Sequence, residues 1–142
     1  MNIKKIVTSL GMCSLFLSTY ANAVTDSSTT YKNQRGSTLL LSWHKDFQNT
    51  GSLSGTFTTA VGNCKEDIGV PLPLVGYFNG NAISVTVNFP HCDQVVAVTG
   101  NVSNNLSTLH TTWLDANQVS DPREKNWNSN IIGSDSYYKI SK

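Results

Sequence analysis

The chain has 142 residues, which is room for one domain and not for two sizeable cores. Hydrophobic residues make up 39% and charged residues 13%, the reverse of the balance that keeps a chain disordered, and no apolar run reaches the roughly 20 residues of a membrane helix. Lys+Arg of 10 against Asp+Glu of 9 gives a formal charge of +1, so no basic surface is available to hold a nucleic acid.

Residues 1–23 read as a secretory signal peptide: Lys4 and Lys5 give a positive start, Ile6 to Leu17 is mostly apolar, and Ala21-Asn22-Ala23 is a small-x-small cleavage signature. Residues 24–142 are then the mature domain, expected outside the cell or in a periplasm, with no membrane partner. Its formal charge moves from +1 to −1 with the loss of Lys4 and Lys5, and Cys13 is removed, leaving Cys64 and Cys92. Two cysteines in an exported chain predict a disulfide, which for a loop of about 29 residues is worth ~3–4 kcal/mol in the loop-entropy model. The competing reading is a metal site of Cys64, Cys92 and His91, for which no second ligand pair sits at metal spacing.

The mature region reads as short strands separated by turns. After a polar stretch over 24–30, a first strand lies near Tyr31, and Gly36 to Trp43 forms a second. Leu53, Gly55, Phe57, Thr59 and Val61 fall on one side of a third. Leu72 to Phe78, beside two prolines, leads into Asn79-Gly80, a hairpin signal. Ile83, Val85, Val87 and Phe89 alternate with polar residues until Pro90, and Val95 to Val102 follows. Leu106 to Leu114 alternates again after Asn104-Asn105. A polar loop from Asp115 to Asn130 carries Trp127, and Ile131 to Ile140 closes the chain. No sustained helical periodicity interrupts this series. Strands at about twelve-residue spacing predict an all-β sandwich or an up-and-down barrel, and the pattern alone leaves both open.

Four segments go further. Asn33-Gln34-Arg35-Gly36-Ser37-Thr38, the run from Leu53 to Asn63, Thr111-Thr112-Trp113-Leu114, and Trp127 with Gly133 and Asp135 resemble, in order, motifs of the avidin/streptavidin family. The resemblance implies an eight-stranded antiparallel up-and-down β-barrel that captures biotin at its mouth without catalysis and without a cofactor or metal. It implies that Asn33 and Ser37 donate to the ureido oxygen, that Asp135 and Thr59 accept from the two ureido N–H groups, and that Asp135 orients Asn33. Trp113 and Phe89 would be walls, and Trp127 would cross from a neighbouring subunit of a homodimer or homotetramer. Val61 and Asn63 would lie in the loop that meets the ligand carboxylate. Buried without such partners, each polar group of the ligand would cost about 1–3 kcal/mol.

The sequence departs from the family pattern where Phe57 replaces a tyrosine, Val96 a threonine beside the ligand sulfur, and Val98 an aromatic wall. Gln94 replaces a small hydroxyl residue near the ligand tail, and Asp115 an apolar leucine. These changes imply weaker capture than by streptavidin, and they motivate the alternative of a barrel for a different small molecule or an interaction module. Cys64 and Cys92 resemble the disulfide of some dimeric bacterial members. Catalysis is not expected: His44, His91 and His110 share no recognisable motif, and no nucleophile elbow, zinc-protease helix or phosphate loop is present.

Overall fold

The computed structural model describes residues 26–119 and 130–140. The expected signal peptide and Trp127 lie outside the described residues. The strands are β1 (Ser27–Asn33), β2 (Thr38–Phe47), β3 (Thr50–Thr58), β4 (Pro71–Asn79), β5 (Ala82–Phe89), β6 (Gln94–Val102), β7 (Thr108–Asn117) and β8 (Asn130–Lys139).

Alternation builds each of them. Along β5, Ile83, Val85, Val87 and Phe89 are buried while Ser84, Thr86 and Asn88 face out, so one row of β-branched and aromatic residues meets the core and a polar row meets water. Leu39, Leu41 and Trp43 supply β2, and Leu53, Leu74, Val98, Leu109 and Tyr137 continue the same core around the sheet. Every strand pairs antiparallel with its sequence neighbour. β1 returns to pair with β8 through Tyr31↔Lys139, Lys32↔Tyr138 and Asn33↔Tyr137. That last pairing closes the barrel, removes the sheet edges, and decides between the two architectures the pattern leaves open.

The turns explain the shifts in strand ends. Asn79 still pairs with Ala82, so the β4–β5 hairpin turns on Gly80 and Asn81, with Gly80 at φ 59° as a tight hairpin requires. Pro71 and Pro73 lie inside β4, but β5 pairing begins only at Leu74↔Val87, so these prolines have a partner strand on one side alone. Leu106 takes φ 56° in the turn before β7, which begins at Thr108 rather than Leu106. Thr59 and Val61 belong to the loop after β3, which ends at Thr58. Asp115, expected in a loop, is in β7, because Val96↔Asp115 and Gln94↔Asn117 extend the ladder.

The β1–β2, β3–β4 and β5–β6 connections gather at one end of the barrel, where β7 ends and β8 begins. The other end carries Trp43 packed edge-to-face on Phe78, with ring centroids 5.1 Å apart.

Candidate functional site

A cavity of about 450 Å³ opens at the end where the longer loops gather, within the usual size of a small-molecule site. Its position follows from inward-facing rows. On β7 the row is Thr111, Trp113, Asp115 and Asn117; on β6 it is Val98, Val96 and Gln94; on β8 it is Tyr137, Asp135, Gly133 and Ile131. Cross-strand register sorts these rows into levels. Asp135 pairs with Thr111, Gly133 and Val98 flank Trp113, Ile131 and Val96 flank Asp115, and Gln94 pairs with Asn117 at the rim. Depth falls in the same order: Tyr137 and Val98 are buried, whereas Ile131 is 49% exposed.

The polar floor comes from the first hairpin and the end of β3. The Oδ1 of Asn33 accepts from the backbone N–H of Arg35 at 3.0 Å and of Ser37 at 2.9 Å, so its amide nitrogen is the part left to donate elsewhere. The Oγ of Ser37 accepts from the Ala60 N–H at 3.0 Å, which leaves the hydroxyl proton free to donate. Thr59 spends its proton on the Val61 carbonyl, which leaves its oxygen as an acceptor. The carboxylate of Asp135 accepts from Gln34 Nε2 at 3.1 Å and keeps further acceptor capacity. Two donors and two acceptors therefore line one cavity, and Asn33, Ser37 and Thr59 are all buried. The Asn33 side chain thus accepts from its own turn and donates one amide N–H to Tyr137, keeping its second N–H, while the Asp135 carboxylate accepts from Gln34.

The walls are apolar. Phe57 and Phe89 pack edge-to-face with centroids 6.1 Å apart. The indole of Trp113 lies across Gly133, where a Cβ would fall within the ring; this gives the glycine between Trp127 and Asp135 a steric reason. Burial raises the Tyr137 phenol above its usual range. The Asp135 charge adds to that rise, and a hydrogen bond with the Asn33 side chain opposes it. Tyr137 thus stays a neutral hydroxyl behind the floor.

Among the sequence-identified residues, Asn33, Ser37, Phe57, Thr59, Val61, Asn63, Phe89, Gln94, Val96, Trp113 and Asp135 all line this cavity, as do Val98 and Asp115. Sequence reasoning missed Arg35, Gly62, Ile131 and Tyr137, which line it too. Strand parity could have found Tyr137, two residues beyond Asp135 on the same face.

Two ties hold the β3–β4 loop to the β5–β6 loop beside the cavity. Cys64 and Cys92 form a disulfide with Cα atoms 5.8 Å apart, so their sulfurs are joined to each other rather than offered as thiolates. Next to it, fully buried Asp67 pairs with His91 Nδ1 at 2.6 Å. On the outer face, His44 lies between Asp26 (3.0 Å) and Ser54 (2.8 Å), a chain that no local motif reveals. Ser54 sits mid-strand with ladder partners Ser42 and Val75 on its two sides, where neighbouring backbone N–H groups serve the sheet instead of an oxyanion.

Comparison with known proteins agrees with the barrel fold. Residues 21–140 match the model of the avidin family. Core-bradavidin is 30% identical over 80% of this chain and 100% of its own, with a TM-score of 0.64. Bradavidin is 30% identical over 82% of each chain, with a TM-score of 0.65. Rhizavidin, solved as a biotin complex, is 22% identical and shares the fold at a TM-score of 0.64 over 82% of this chain and 94% of its own. No curated protein sequence matches the chain significantly.

Proposed function

The chain belongs to the avidin family, and from that premise we propose that it is a noncatalytic binder of biotin, held in the cavity at the barrel mouth. One observation carries the reading: the free hydrogen-bonding capacity of Asn33, Ser37, Thr59 and Asp135 is two donors and two acceptors facing one space. A cyclic urea presents the complement, one carbonyl oxygen that takes two donors and two N–H groups that each need an acceptor. Rhizavidin and bradavidin2, which share the fold, were both solved with biotin.

Asn33 and Ser37 donate to the ureido oxygen, and Thr59 and Asp135 receive the ureido N–H groups. Trp113, Phe89 and Phe57 enclose the bicycle, and the loop bearing Val61 and Asn63 covers the valeryl chain. Phe57 offers no hydroxyl, Val96 lacks the hydroxyl of a threonine beside the ligand sulfur, and Val98 is smaller and less polarisable than an aromatic wall, so binding is weaker than in streptavidin. The disulfide and the Asp67–His91 pair fix the covering loop before the ligand arrives, which lowers the ordering cost of binding.

Export after cleavage near Ala23 is part of the same reading, because the disulfide needs an oxidising compartment. So is assembly into a dimer or tetramer with Trp127 reaching a neighbouring cavity. The exposed row Ala97–Leu114–Ile132, continuous across β6, β7 and β8, supports such an interface. Titration calorimetry with biotin tests the function. One biotin per barrel with a loss of at least about 10-fold in Asp135→Ala is expected, since hydrogen bonds to charged groups contribute ~1.5–3 kcal/mol and their partner would be left buried. No heat and no thermal shift at millimolar biotin would refute it.

A further inference from the structure

We propose that Asp115 makes this site selective for biotin whose tail is an amide, as when it is joined to a lysine, over biotin with a free carboxylate. The proposal rests on the biotin reading above.

If the cyclic urea sits on the floor, the tail must leave through the open end. It then climbs the inward row of β7, past Trp113 to the level of Asp115. Asp115 is four residues beyond Thr111, the partner of Asp135, or about 13 Å at ~3.3 Å per residue. The tail thus ends at the level of Asp115, Gln94 and Asn117, in the part of the cavity that the loop bearing Val61 and Asn63 covers.

That rim is built around a negative charge. Gln94 Nε2 donates to Asp115 Oδ2 at 3.1 Å and to Asn117 Oδ1 at 2.6 Å, so this amide's donors are already engaged. Burial raises the Asp115 carboxyl above its ordinary range, and a hydrogen bond with the Asn117 side chain opposes that rise. The same level holds Val96 and Ile131, neither of which can balance charge. Arg35, the cation among the lining residues, belongs to the β1–β2 turn between Asn33 and Ser37 and not to the strands that carry Asp115, Gln94 and Ile131. A tail carboxylate arriving here meets a like charge in a partly desolvated place. A tail amide brings no charge to set against that of Asp115.

The test is titration calorimetry of the full mature chain at neutral pH with biotin, biotinamide and Nε-biotinyl-lysine. Biotinamide differs from biotin in the tail group alone. The proposal expects both amides to bind at least about 10-fold more tightly than the acid, a difference of ~1.4 kcal/mol. In Asp115→Asn and Asp115→Leu that ratio should collapse to about one or reverse. Acid and amide binding within twofold of each other, or the acid more tightly, would overturn the role of Asp115 while leaving biotin as the ligand. A preference that persists in both variants would also overturn it. Should either variant fail to fold, the wild-type ratio decides. If none of the three compounds binds, the biotin reading fails and this proposal fails with it.

Discussion

Substituting Gly133→Ala is a probe of the cavity wall that does not touch the polar floor. Gly133 pairs with Trp113, and a Cβ built there overlaps three atoms of the indole. The backbone at Gly133 is not in the left-handed region, so the effect is steric and not conformational. Either Trp113 leaves its place or the two strands separate. Overpacking of this kind costs about 1–3 kcal/mol, more than the ~0.4–1 kcal/mol that alanine returns by restricting the unfolded chain. Tm should therefore fall by several degrees. For the ligand, an indole face giving up about 100 Å² of contact at ~25 cal/mol per Å² forfeits ~2.5 kcal/mol, roughly a 70-fold rise in Kd. Calorimetry with biotin and thermal unfolding read both numbers. The cycle with Trp113→Ala is decisive, because Gly133→Ala should cost less than about 0.5 kcal/mol once the indole is gone. Wild-type Tm and affinity in Gly133→Ala, or an undiminished cost in the Trp113→Ala background, would refute the packing argument.

Phe57→Tyr restores a hydroxyl to the cavity and should tighten biotin binding by about 0.5–1.5 kcal/mol, up to roughly tenfold, as read by competition calorimetry. Replacing Cys64 and Cys92 together by serine should lower stability by ~3–4 kcal/mol in denaturant titration, from the loop they close. Asp67→Ala, which removes the buried partner of His91, should cost about 1–3 kcal/mol with the disulfide intact. Tyr137 has a folded-state pKa above its ordinary value of 10.0. Its contribution is thus fully present below pH 10 and is lost as pH rises beyond, where the unfolded chain ionises first. The wild type should lose Tm more steeply than Tyr137→Phe between pH 10 and 11.5, and parallel curves would contradict the assignment.

The sequence carries its fold through side-chain parity. Alternation along Ile83, Val85, Val87 and Phe89 is a local property, and local properties survive without coordinates. Barrel closure is not local: it rests on Asn33 meeting Tyr137 across most of the chain, which the strand pattern cannot distinguish from a sandwich. The site divides the same way. Asn33 and Ser37 act through one turn and are readable together, whereas Asp67 and His91 meet only because a disulfide three residues and one residue away brings their loops into register. Asp115 stands out in the sequence as a charge in place of an apolar leucine, but its polarity assigns it to the following loop. Its ladder pairing with Val96 and Ile131 makes it part of the cavity.

The central claim is that four side chains receive a cyclic urea at the floor of the barrel. A crystal structure of the mature chain with biotin tests it most directly. The ureido oxygen should lie within about 3.2 Å of Asn33 Nδ2 and Ser37 Oγ, and the two ureido nitrogens within that reach of Thr59 and Asp135. Biotin found outside this cavity, or bound there with its carboxylate at the floor and its urea at the rim, would contradict it.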